Sequence, residues 1–394
     1  MEIHHTRKDM GTRKECELKI MTPGPVQVRE NVRNARSIKT TNPDVDTSFV
    51  EEYKETCDKI AKILHTSGNV YILSGEGILG LECACASLTE KGDRVLVIDN
   101  GIYGNGFADF VSLYGGNPVL YQKDYRHTID VEELRAYLEN DHDFKYATVV
   151  HNDTPSGMTN DVMAIGRLLD EFGILSVVDS VSGMIGENLN IDEGKLDIVC
   201  GGSQKAVSAP VGLTLVAVSD RAIKVMEERK SKIASFYCNL LNFKTYYEDK
   251  WFPYTMPISD IYGLNVALDN ILEEKDIVGR HERIAKAVRA ALVRGGLTLY
   301  AENGFSNNVT VFCIPEGITE RQILDTMKEK FGILLSGSFG VFAGKVIRIG
   351  HMGENANKED VVETLEALYQ TLSEYSVPLK EDFAQVFQEE YEKE

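Results

Sequence analysis

The stretch DIVCGGSQKA occupies residues 197–206 and joins a short apolar run to two glycines and a lysine, Lys205. A second apolar run, 174–178, ends in Asp179, about one strand–helix–strand unit upstream. In open parallel sheets, polar residues at the carboxyl ends of neighbouring strands meet at one edge. We therefore expect Lys205 and Asp179 to face a common site.

A lysine and an aspartate at the ends of neighbouring buried strands suit one cofactor especially well, pyridoxal phosphate. The lysine amine forms a Schiff base with the aldehyde of the cofactor. The aspartate holds the proton on the pyridine nitrogen, so that the ring can act as an electron sink. Lys205 and Asp179 are therefore the candidate catalytic residues.

The bulk composition is that of an ordinary water-soluble protein with two domains. The chain has 394 residues, of which 43% are hydrophobic and 26% charged. A formal net charge of −19 argues against nucleic acid or an anionic membrane as the main partner. No apolar run reaches the roughly 20 residues of a membrane span, and the polar, basic start lacks the apolar core of a signal peptide. We expect a cytoplasmic protein.

The seven cysteines are scattered, odd in number and form no CxxC pair. This pattern is typical of small core or surface residues, so we expect neither a metal site nor disulfides.

Between about residues 50 and 220, amphipathic stretches alternate with short apolar runs. The predicted strands are 70–73, 94–98, 117–121, 146–151, 174–179, 198–201 and 213–218. The predicted helices are 51–65, 79–88, 104–114, 131–138 and 162–172. The alternation predicts an α/β fold with a mostly parallel, seven-stranded sheet covered by helices.

The pattern changes towards the carboxyl end, where we predict a smaller α+β domain. Long helices are predicted at 258–274 and 282–294. Beyond them, the predicted strands are 298–301, 309–314 and 345–349, the predicted helices are 320–331 and 358–373, and the acidic tail 380–394 is expected to be a surface helix or a frayed end. We divide the chain into a polar and flexible tail at 1–17, a large cofactor-binding domain at 18–275 and a small domain at 276–394. The aromatic-rich stretch 224–257 suits a subunit contact or the rim of a site.

Five predicted strand ends carry polar or glycine-rich residues, and these are the candidate site residues. They are Ser74-Gly75-Glu76-Gly77, Asn100 to Gly104, His151 to Gly157, Asp179-Ser180 and Ser203-Gln204-Lys205. Their alignment at one sheet edge predicts a single ligand site.

At these residues the chain resembles the class V aminotransferases of pyridoxal-phosphate fold type I, in the alanine–glyoxylate and serine–pyruvate group. The matching stretches, in the family order, are Thr22 to Pro25, Asn100 to Gly104, His151 to Gly157, Val178 to Ser180, Gly202 to Ala206 and Lys345 to Gly350. The resemblance spans about residues 18–375.

The resemblance implies a role for each matching residue. Lys205 would carry the Schiff base and then move the Cα proton, and Asp179 would pair with the ring nitrogen. Tyr103 would stack on the ring, and Thr154 would bind its phenolic oxygen. The remaining cofactor contacts would come from Gly75, Glu76, Gly77, Ile78, Ser180 and Gln204.

The resemblance also implies how substrate and a second subunit take part. Arg348 would bind the substrate carboxylate, because a guanidinium makes a bidentate contact. Residues 18–27 would reach over the site and place the Gly24 backbone near the substrate. Thr255 matches a phosphate-contacting threonine donated by a neighbouring subunit, which implies a homodimer with shared sites. His351 either lines the pocket or is structural.

The chain departs from the family pattern where relatives hold the cofactor phosphate. Glu76 occupies the usual hydroxyl position, and a carboxylate repels a phosphate dianion. Phe252 stands where relatives often have a phosphate-binding tyrosine. Both changes resemble pyridoxamine–pyruvate aminotransferases, which use unphosphorylated pyridoxamine as a substrate; Glu76 would then contact that substrate. Against this alternative, Gln204 is retained, and Phe339 replaces a second arginine of those enzymes.

The sequence thus leads to one main function and two alternatives. The main one is transfer of an amino group from a small L-amino acid, alanine or serine, to glyoxylate or pyruvate. The first alternative uses pyridoxamine and pyridoxal as substrates. The second is a cysteine desulfurase-like lyase, which is disfavoured because Tyr103 replaces the usual histidine and Cys313 lies in a predicted strand.

Overall fold

The computed structural model describes residues 18–393. The predicted flexible tail at 1–17 lies outside the described residues, as does Glu394. The strands are β1 (Lys19–Ile20), β2 (Asn69–Ser74), β3 (Arg94–Asp99), β4 (Asn117–Gln122), β5 (Tyr146–Val150), β6 (Asn152–Asp153), β7 (Met158–Thr159), β8 (Leu175–Asp179), β9 (Ile198–Gly202), β10 (Leu213–Val218), β11 (Thr310–Cys313), β12 (Ile333–Leu334) and β13 (Val346–Ile349).

Helices connect and cover these strands. The α-helices are α1 (Glu30–Ala35), α2 (Ser48–Ile63), α3 (Gly77–Leu88), α4 (Ile102–Leu113), α5 (Val131–Asn140), α6 (Val162–Glu171), α7 (Asp220–Glu227), α8 (Tyr246–Asp249), α9 (Ile258–Glu273), α10 (Ile277–Arg294), α11 (Glu320–Phe331), α12 (Lys358–Glu374) and α13 (Phe383–Tyr391). Short 3₁₀ turns occur at Leu240–Phe243, Gly340–Phe342 and Gly353–Asn355.

Seven strands form the central sheet in the order β2-β10-β9-β8-β5-β3-β4. Only β10 runs antiparallel to its neighbours, β2 and β9. The strands are near-continuous runs of buried residues, as expected where helices cover a parallel sheet. The predicted α/β fold with a mostly parallel seven-stranded sheet is confirmed.

Strand register brings the candidate residues to one edge. Asp179 ends β8, opposite Val150 at the end of β5 and Cys200 on β9. The carboxyl ends of β5, β8 and β9 therefore lie side by side, and the segments that carry Thr154, Asp179 and Lys205 leave the sheet together.

At the β2 edge of the sheet, one side-chain hydroxyl pairs with both backbone groups of Ile72. β2 is an edge strand, and its Ile72 would leave its backbone groups unpaired on the outer side. The buried Tyr53 hydroxyl, on α2, donates to Ile72 O at 3.0 Å and accepts from Ile72 N at 2.8 Å. A single side chain thus satisfies both backbone groups.

The N-terminal segment crosses from the C-terminal part of the chain to the central sheet. β1 pairs in parallel with β12, and Gly350 N donates to Met21 O at 2.7 Å. Further on, Val26 N donates to Gln204 O at 3.1 Å. Residues 22–25 are therefore held at both ends and pass over Lys205.

Two sequence predictions differ from the structure, and the alternative left open for the acidic tail is settled. The predicted strand 298–301 is reduced to one bridge between Leu299 and Phe312, because only this pair comes into register. α10 starts at Ile277 rather than 282, since the Asp276 side chain caps it by accepting from Gly279 N. The acidic tail is not frayed: α13 buries Phe383 and Phe387 and packs on α10 and α12.

Buried apolar residues form two clusters. The larger surrounds the central sheet, and the smaller joins α10 to α13 with β11 and β13. Val311 and Val346 belong to the larger cluster, although they lie far beyond residue 275. The domain boundary at 275 stays a prediction. Among residues 18–393, we find no helix with the length and hydropathy of a membrane span.

Tyr53→Phe should lower the free energy of unfolding by about 1–3 kcal/mol, because the Ile72 N–H and C=O groups lose their only partner while still buried. Urea denaturation monitored by circular dichroism measures this loss. Tyr262→Phe, on the half-buried face of α9, is the matched control and should change stability by less than about 0.5 kcal/mol. Equal effects of the two substitutions would contradict the assigned role of Tyr53.

Candidate active site

A cavity of about 480 Å³, including its open mouth, lies at the carboxyl edge of the central sheet. Its wall combines charged, aromatic and aliphatic side chains, and it contains most of the predicted site residues. The lining residues are Glu76, Ile78, Leu81, Tyr103, Asn152, Thr154, Asp179, Val181, Ser182, Gln204 and Lys205.

Lys205 is delivered to this cavity by a compact turn after β9. Gly201 and Gly202 end that strand, and the chain then folds through Ser203, whose hydroxyl donates to Pro210 O at 2.5 Å. A Cβ on Gly201 would collide with the Met184 thioether. The glycines are needed because residues 181–184, which follow Asp179, pack directly on the end of β9.

The Lys205 amine lies under the N-terminal segment. Its Nζ donates to Pro23 O at 2.6 Å. Gly24 has φ +102°, and a Cβ there would lie 2.5 Å from Lys205 Cδ, so only glycine fits this approach. Burial, and secondarily the positive charge of Arg348, lower the Lys205 pKa to about 8. The amine therefore has a substantial neutral fraction near physiological pH, as a nucleophile or base requires.

Asp179 is 5% exposed, and its Oδ1 accepts from Val181 N at 2.9 Å. Burial raises the Asp179 pKa to about 7, against the opposing effect of the Val181 hydrogen bond. A carboxyl group that is costly to ionise alone is suited to a cationic partner, because the charged pair compensates for lost hydration.

Tyr103, at the start of α4, forms another part of the wall. Its half-buried ring contacts Phe339 edge-on, with centroids 6.0 Å apart. Burial and the nearby Asp153 and Asp179 carboxylates raise the Tyr103 pKa. Asp153 is itself buried and accepts from Ser156 Oγ at 2.7 Å. The backbone that carries Tyr103 packs on Asp153, since a Cβ on Gly101 would lie 2.5 Å from its Cγ.

Glu76 precedes α3 at the N-cap position, but its side chain makes no capping hydrogen bond and lines the cavity instead. Its backbone carbonyl accepts from Thr214 Oγ1 at 2.7 Å. The positive end of the α3 dipole favours an anion in this place. Gly77 starts the helix against Val181, where a Cβ would lie 2.5 Å from Val181 Cγ2.

Arg348 belongs to β13 and is brought to the site by the C-terminal part of the chain. Its backbone N donates to Ser336 O at 2.8 Å and its Nε donates to Gly337 O at 2.6 Å. Burial lowers the Arg348 pKa, opposed by the charges of Tyr103, Asp153 and Glu320. Within residues 18–393 no carboxylate forms an ion pair with this guanidinium, so its terminal nitrogens are available to an anion.

Several predicted site residues lie outside the cavity lining. The Gly75 and Gly77 backbones flank Glu76, and the Ser180 hydroxyl is turned away to bond His151 Nδ1 at 2.9 Å. Thr255 is exposed, and its hydroxyl donates to Asp44 Oδ2 at 3.0 Å. His351 is fully buried between Thr310 and Asn307, which gives it a structural role.

The cavity also contains residues to which the sequence analysis assigned no role: Leu81, Asn152, Val181 and Ser182. Asn152 falls inside the quoted stretch His151 to Gly157, and Val181 and Ser182 directly follow Asp179-Ser180. Asn152 was therefore within reach of the motif, and extending the Asp179-Ser180 motif by two residues would have found Val181 and Ser182. Leu81 carried no signal, because one apolar residue on an apolar helix is indistinguishable from its neighbours.

Comparison with known proteins agrees with this geometry. Residues 29–361 match the family described as aminotransferase class-V. This chain belongs to that family. An uncharacterized aminotransferase of Methanocaldococcus jannaschii is 35% identical over 94% of this chain and 96% of its own length. A serine–glyoxylate aminotransferase of Arabidopsis thaliana is 31% identical, covering 91% of each chain.

A solved structure of pyridoxamine–pyruvate aminotransferase from Mesorhizobium loti superimposes with a TM-score of 0.91. It is 31% identical, and the match covers 95% of this chain and 97% of the other. The predicted class V family, fold type I architecture and aminotransferase activity are confirmed. The substrates of this chain are accordingly an amino donor and a 2-oxo acid acceptor.

The residues of the cavity fit a pyridoxal ring. An amine of lowered pKa and a buried carboxyl share one wall, and a tyrosine ring lies beside them. The Gln204 Oε1 atom is buried at the cavity without a hydrogen-bond partner among the described residues. An orphaned acceptor of this kind is costly unless a ligand supplies the missing donor.

Asp179→Asn should change how the stability of the apo-protein depends on pH. Because the pKa of Asp179 is raised to about 7 in the folded state, the protonated carboxyl contributes to the stability of the fold. That stability is fully present below the unfolded-state pKa and is lost as pH rises through 7. Between pH 4.5 and pH 8, the free energy of unfolding of the variant should therefore rise relative to that of wild type by on the order of 3 kcal/mol. Urea denaturation at both pH values measures this difference.

The control for this measurement is Asp192→Asn, at an exposed aspartate between β8 and β9. Parallel pH profiles of wild type and Asp179→Asn would show that Asp179 ionises normally in the folded apo-protein.

Proposed function

We propose that this aminotransferase transfers the amino group of a small L-amino acid, alanine or serine, to glyoxylate or pyruvate, with pyridoxal phosphate held at Lys205. The observation that carries the proposal is the presence of the Lys205 amine and the buried Asp179 carboxyl in one cavity. When bound, the cofactor supplies the carbonyl that accepts the amino group and the ring that delocalises electrons.

Lys205 and Asp179 divide the proton chemistry between them. In its neutral form the Lys205 Nζ takes the proton from the substrate Cα and later returns it, which requires the lowered pKa found here. Asp179 binds and keeps the proton on the ring nitrogen. The ionised form of its buried carboxyl is stabilised most when that nitrogen is cationic, so the two groups stabilise each other's charged forms.

Arg348 and the N-terminal segment orient the substrate. The unpaired guanidinium of Arg348 binds the substrate carboxylate in a bidentate contact, which directs the Cα–H bond towards Lys205. Residues 22–25 lie over the amine, and the missing side chain of Gly24 leaves room for Lys205 beneath them. Tyr103 lines the cavity and contacts Phe339, and the bulk of these rings favours a small substrate side chain.

A second candidate function is favoured by Glu76. In this alternative, unphosphorylated pyridoxamine is itself the amino donor and pyruvate the acceptor. Glu76 and the orphaned Gln204 Oε1 both present acceptors to the cavity, which suits the hydroxymethyl O–H of the vitamin better than a phosphate dianion. Phe252 is buried among Phe49, Tyr53 and Tyr246 and offers no hydroxyl to a phosphate.

Under the main proposal the phosphate is held differently. The backbone N–H groups at the start of α3 bind it together with the Gln204 amide, and the Glu76 side chain leaves the cavity. Thr255 of a second copy of the chain completes the cup.

A homodimer is part of this proposal. Ile78 lines the cavity and is 48% exposed. Phe236, Tyr237 and Trp251 are each more than half exposed, and Thr255 lies in the same aromatic-rich segment. Exposed large apolar residues of this kind are typical of a subunit contact. A cytoplasmic location stays a prediction.

A cysteine desulfurase-like reaction is disfavoured by the position of Cys313. This residue pairs with Val346 inside the two-stranded sheet of β11 and β13, and burial raises its thiol pKa. A thiol fixed in a strand and held protonated is a poor nucleophile.

Lys205→Ala should abolish both cofactor capture and amino transfer. Wild-type apo-protein should gain a visible absorbance band with pyridoxal phosphate, and the band should shift on adding L-alanine. The variant should show no band and a rate lower by roughly 1000-fold, since base and attachment point are both lost. In wild type, cofactor capture should accelerate as pH rises through about 8, because the neutral amine increases.

Lys224→Ala, at an exposed lysine on α7, is the control for this substitution. A variant at Lys205 that retained the band would refute the proposed function.

Glu76→Ser distinguishes the two candidate functions. If Glu76 excludes the phosphate, the variant should bind pyridoxal phosphate about tenfold more tightly and pyridoxal more weakly, because a repulsive charge is replaced by a hydroxyl donor. Titration of apo-protein with each compound, followed by absorbance, gives both dissociation constants. Glu76→Gln is the matched control, since it removes the charge but keeps the size of the side chain.

The vitamin-substrate candidate fails if wild type binds pyridoxal phosphate much more tightly than pyridoxal and Glu76→Ser brings no improvement.

A further inference from the structure

A buried carboxyl group lies behind the cavity wall. Glu187 is 5% exposed and belongs to the segment that follows Asp179. Its Oε1 accepts three hydrogen bonds, from Asn152 Nδ2 at 2.8 Å, Ser306 Oγ at 3.0 Å and Asn307 N at 2.7 Å. Three donors on one buried oxygen form a specific, fully directed contact.

The three donors come from two distant parts of the chain. Asn152 begins β6, two residues after the end of β5 of the central sheet, whereas Ser306 and Asn307 precede β11. The Ser306 hydroxyl also contacts Asn152 Nδ2, and Ser306 O accepts from Arg289 Nη1 at 2.7 Å. Glu187 therefore connects the central sheet to the part of the chain that carries Arg348.

The same contact reaches the cavity. Asn152 and Ser182 both line it, and Ser182 Oγ donates to Asn152 O at 2.7 Å. Asn308 Nδ2 in turn donates to Ser182 O at 2.5 Å. Gly186 packs on the Asn308 amide without room for a Cβ. The neighbours of Glu187 thus fix two cavity residues by hydrogen bonds.

The Glu187 carboxyl is matched to its donors, although its ionisation works against folding. Burial raises the pKa of Glu187 to about 7, despite three donors and the Arg289 charge, so ionising this carboxyl costs folding free energy. An apolar side chain at this position alone would leave the Asn152, Ser306 and Asn307 donors buried without an acceptor. What an apolar group cannot do is hold the Asn152 amide in one orientation.

We propose that Glu187 is a positioning residue, which holds Asn152 in the cavity wall and thereby sets how tightly the cavity binds its pyridoxal ligand. This inference rests on the proposed function and extends the determinants of binding to a residue outside the cavity. Glu187 touches neither ligand nor substrate in this arrangement and acts through Asn152.

The test compares Glu187→Ala with Glu187→Gln in the full-length apo-protein. Each is titrated with pyridoxal phosphate and with pyridoxal, and the circular dichroism of the bound chromophore is recorded. We expect Glu187→Ala to weaken binding of the preferred compound about tenfold and to change the dichroic band, because the Asn152 amide loses its acceptor. Glu187→Gln should keep the wild-type affinity and the wild-type dichroic band, since an amide oxygen accepts the same three hydrogen bonds.

Thermal unfolding of the same variants separates positioning from stability. If Glu187→Ala lowers the melting temperature but binds both compounds like wild type, Glu187 is structural and the proposal is overturned. Glu193→Ala, an exposed glutamate in the same segment, should change neither quantity. If wild type binds neither compound, the proposed function fails instead, so the two failures are distinguishable.

Asn152→Ala keeps the test decisive if Glu187→Ala does not fold. It removes the amide through which Glu187 acts but leaves the carboxyl in place. A weakening of binding by about threefold or more, with the same change in the dichroic band, supports the proposal. Unchanged binding and an unchanged band overturn it.

Discussion

The burial of the Lys205 amine is the constraint on which the rest of the structure depends. A lysine at the end of a strand would ordinarily extend into water with its charge intact. Here the N-terminal segment lies over it, and Pro23 O accepts the only hydrogen bond that its Nζ donates within residues 18–393. Gly24 permits that closeness, since any side chain would occupy the space of the lysine.

That burial requires three separate parts of the chain to meet. The turn after β9 supplies the lysine, and β1 anchors the covering segment to β12 in the C-terminal part. β13, beside that anchor, supplies Arg348, whose charge contributes to lowering the Lys205 pKa. The cover, the carboxylate-binding group and the reactive amine are therefore coupled, and movement of the C-terminal part would alter all three together.

Opposing charges line the cavity or, in the case of Arg348, lie beside it, and their balance bears on what the cavity binds. Lys205 and Arg348 favour an anionic substrate, whereas Asp179 and Glu76 favour a cationic ring or a hydroxyl donor. Glu76 is the unusual member, because it stands at a helix N-terminus where an anion is stabilised. Glu76 thus adds an acidic side chain to the cavity at the end of a helix where backbone N–H groups point outward.

The central fold and the main chemical pair were predictable from sequence because both follow from local pattern. Runs such as 146–150 and 175–179 are apolar without alternation, which indicates covered parallel strands, and Lys205 and Asp179 stand directly at strand ends. The same reasoning misplaced the start of α10, where a capping aspartate lies before the periodic pattern begins. It left the form of the tail open between a surface helix and a frayed end, because its acidic residues outnumber the buried Phe383 and Phe387 that hold α13 in place.

The sequence by itself determined the sheet, the family and the candidate groups of the site, because strand periodicity and strand-end motifs are local properties. Only the tertiary structure decided how Lys205 is covered, that Glu76 faces the cavity instead of capping α3, and that Glu187 connects Asn152 to Ser306. Those features depend on residues from distant parts of the chain coming within hydrogen-bonding distance. No local pattern encodes such distances, since they are set by the packing of the whole molecule.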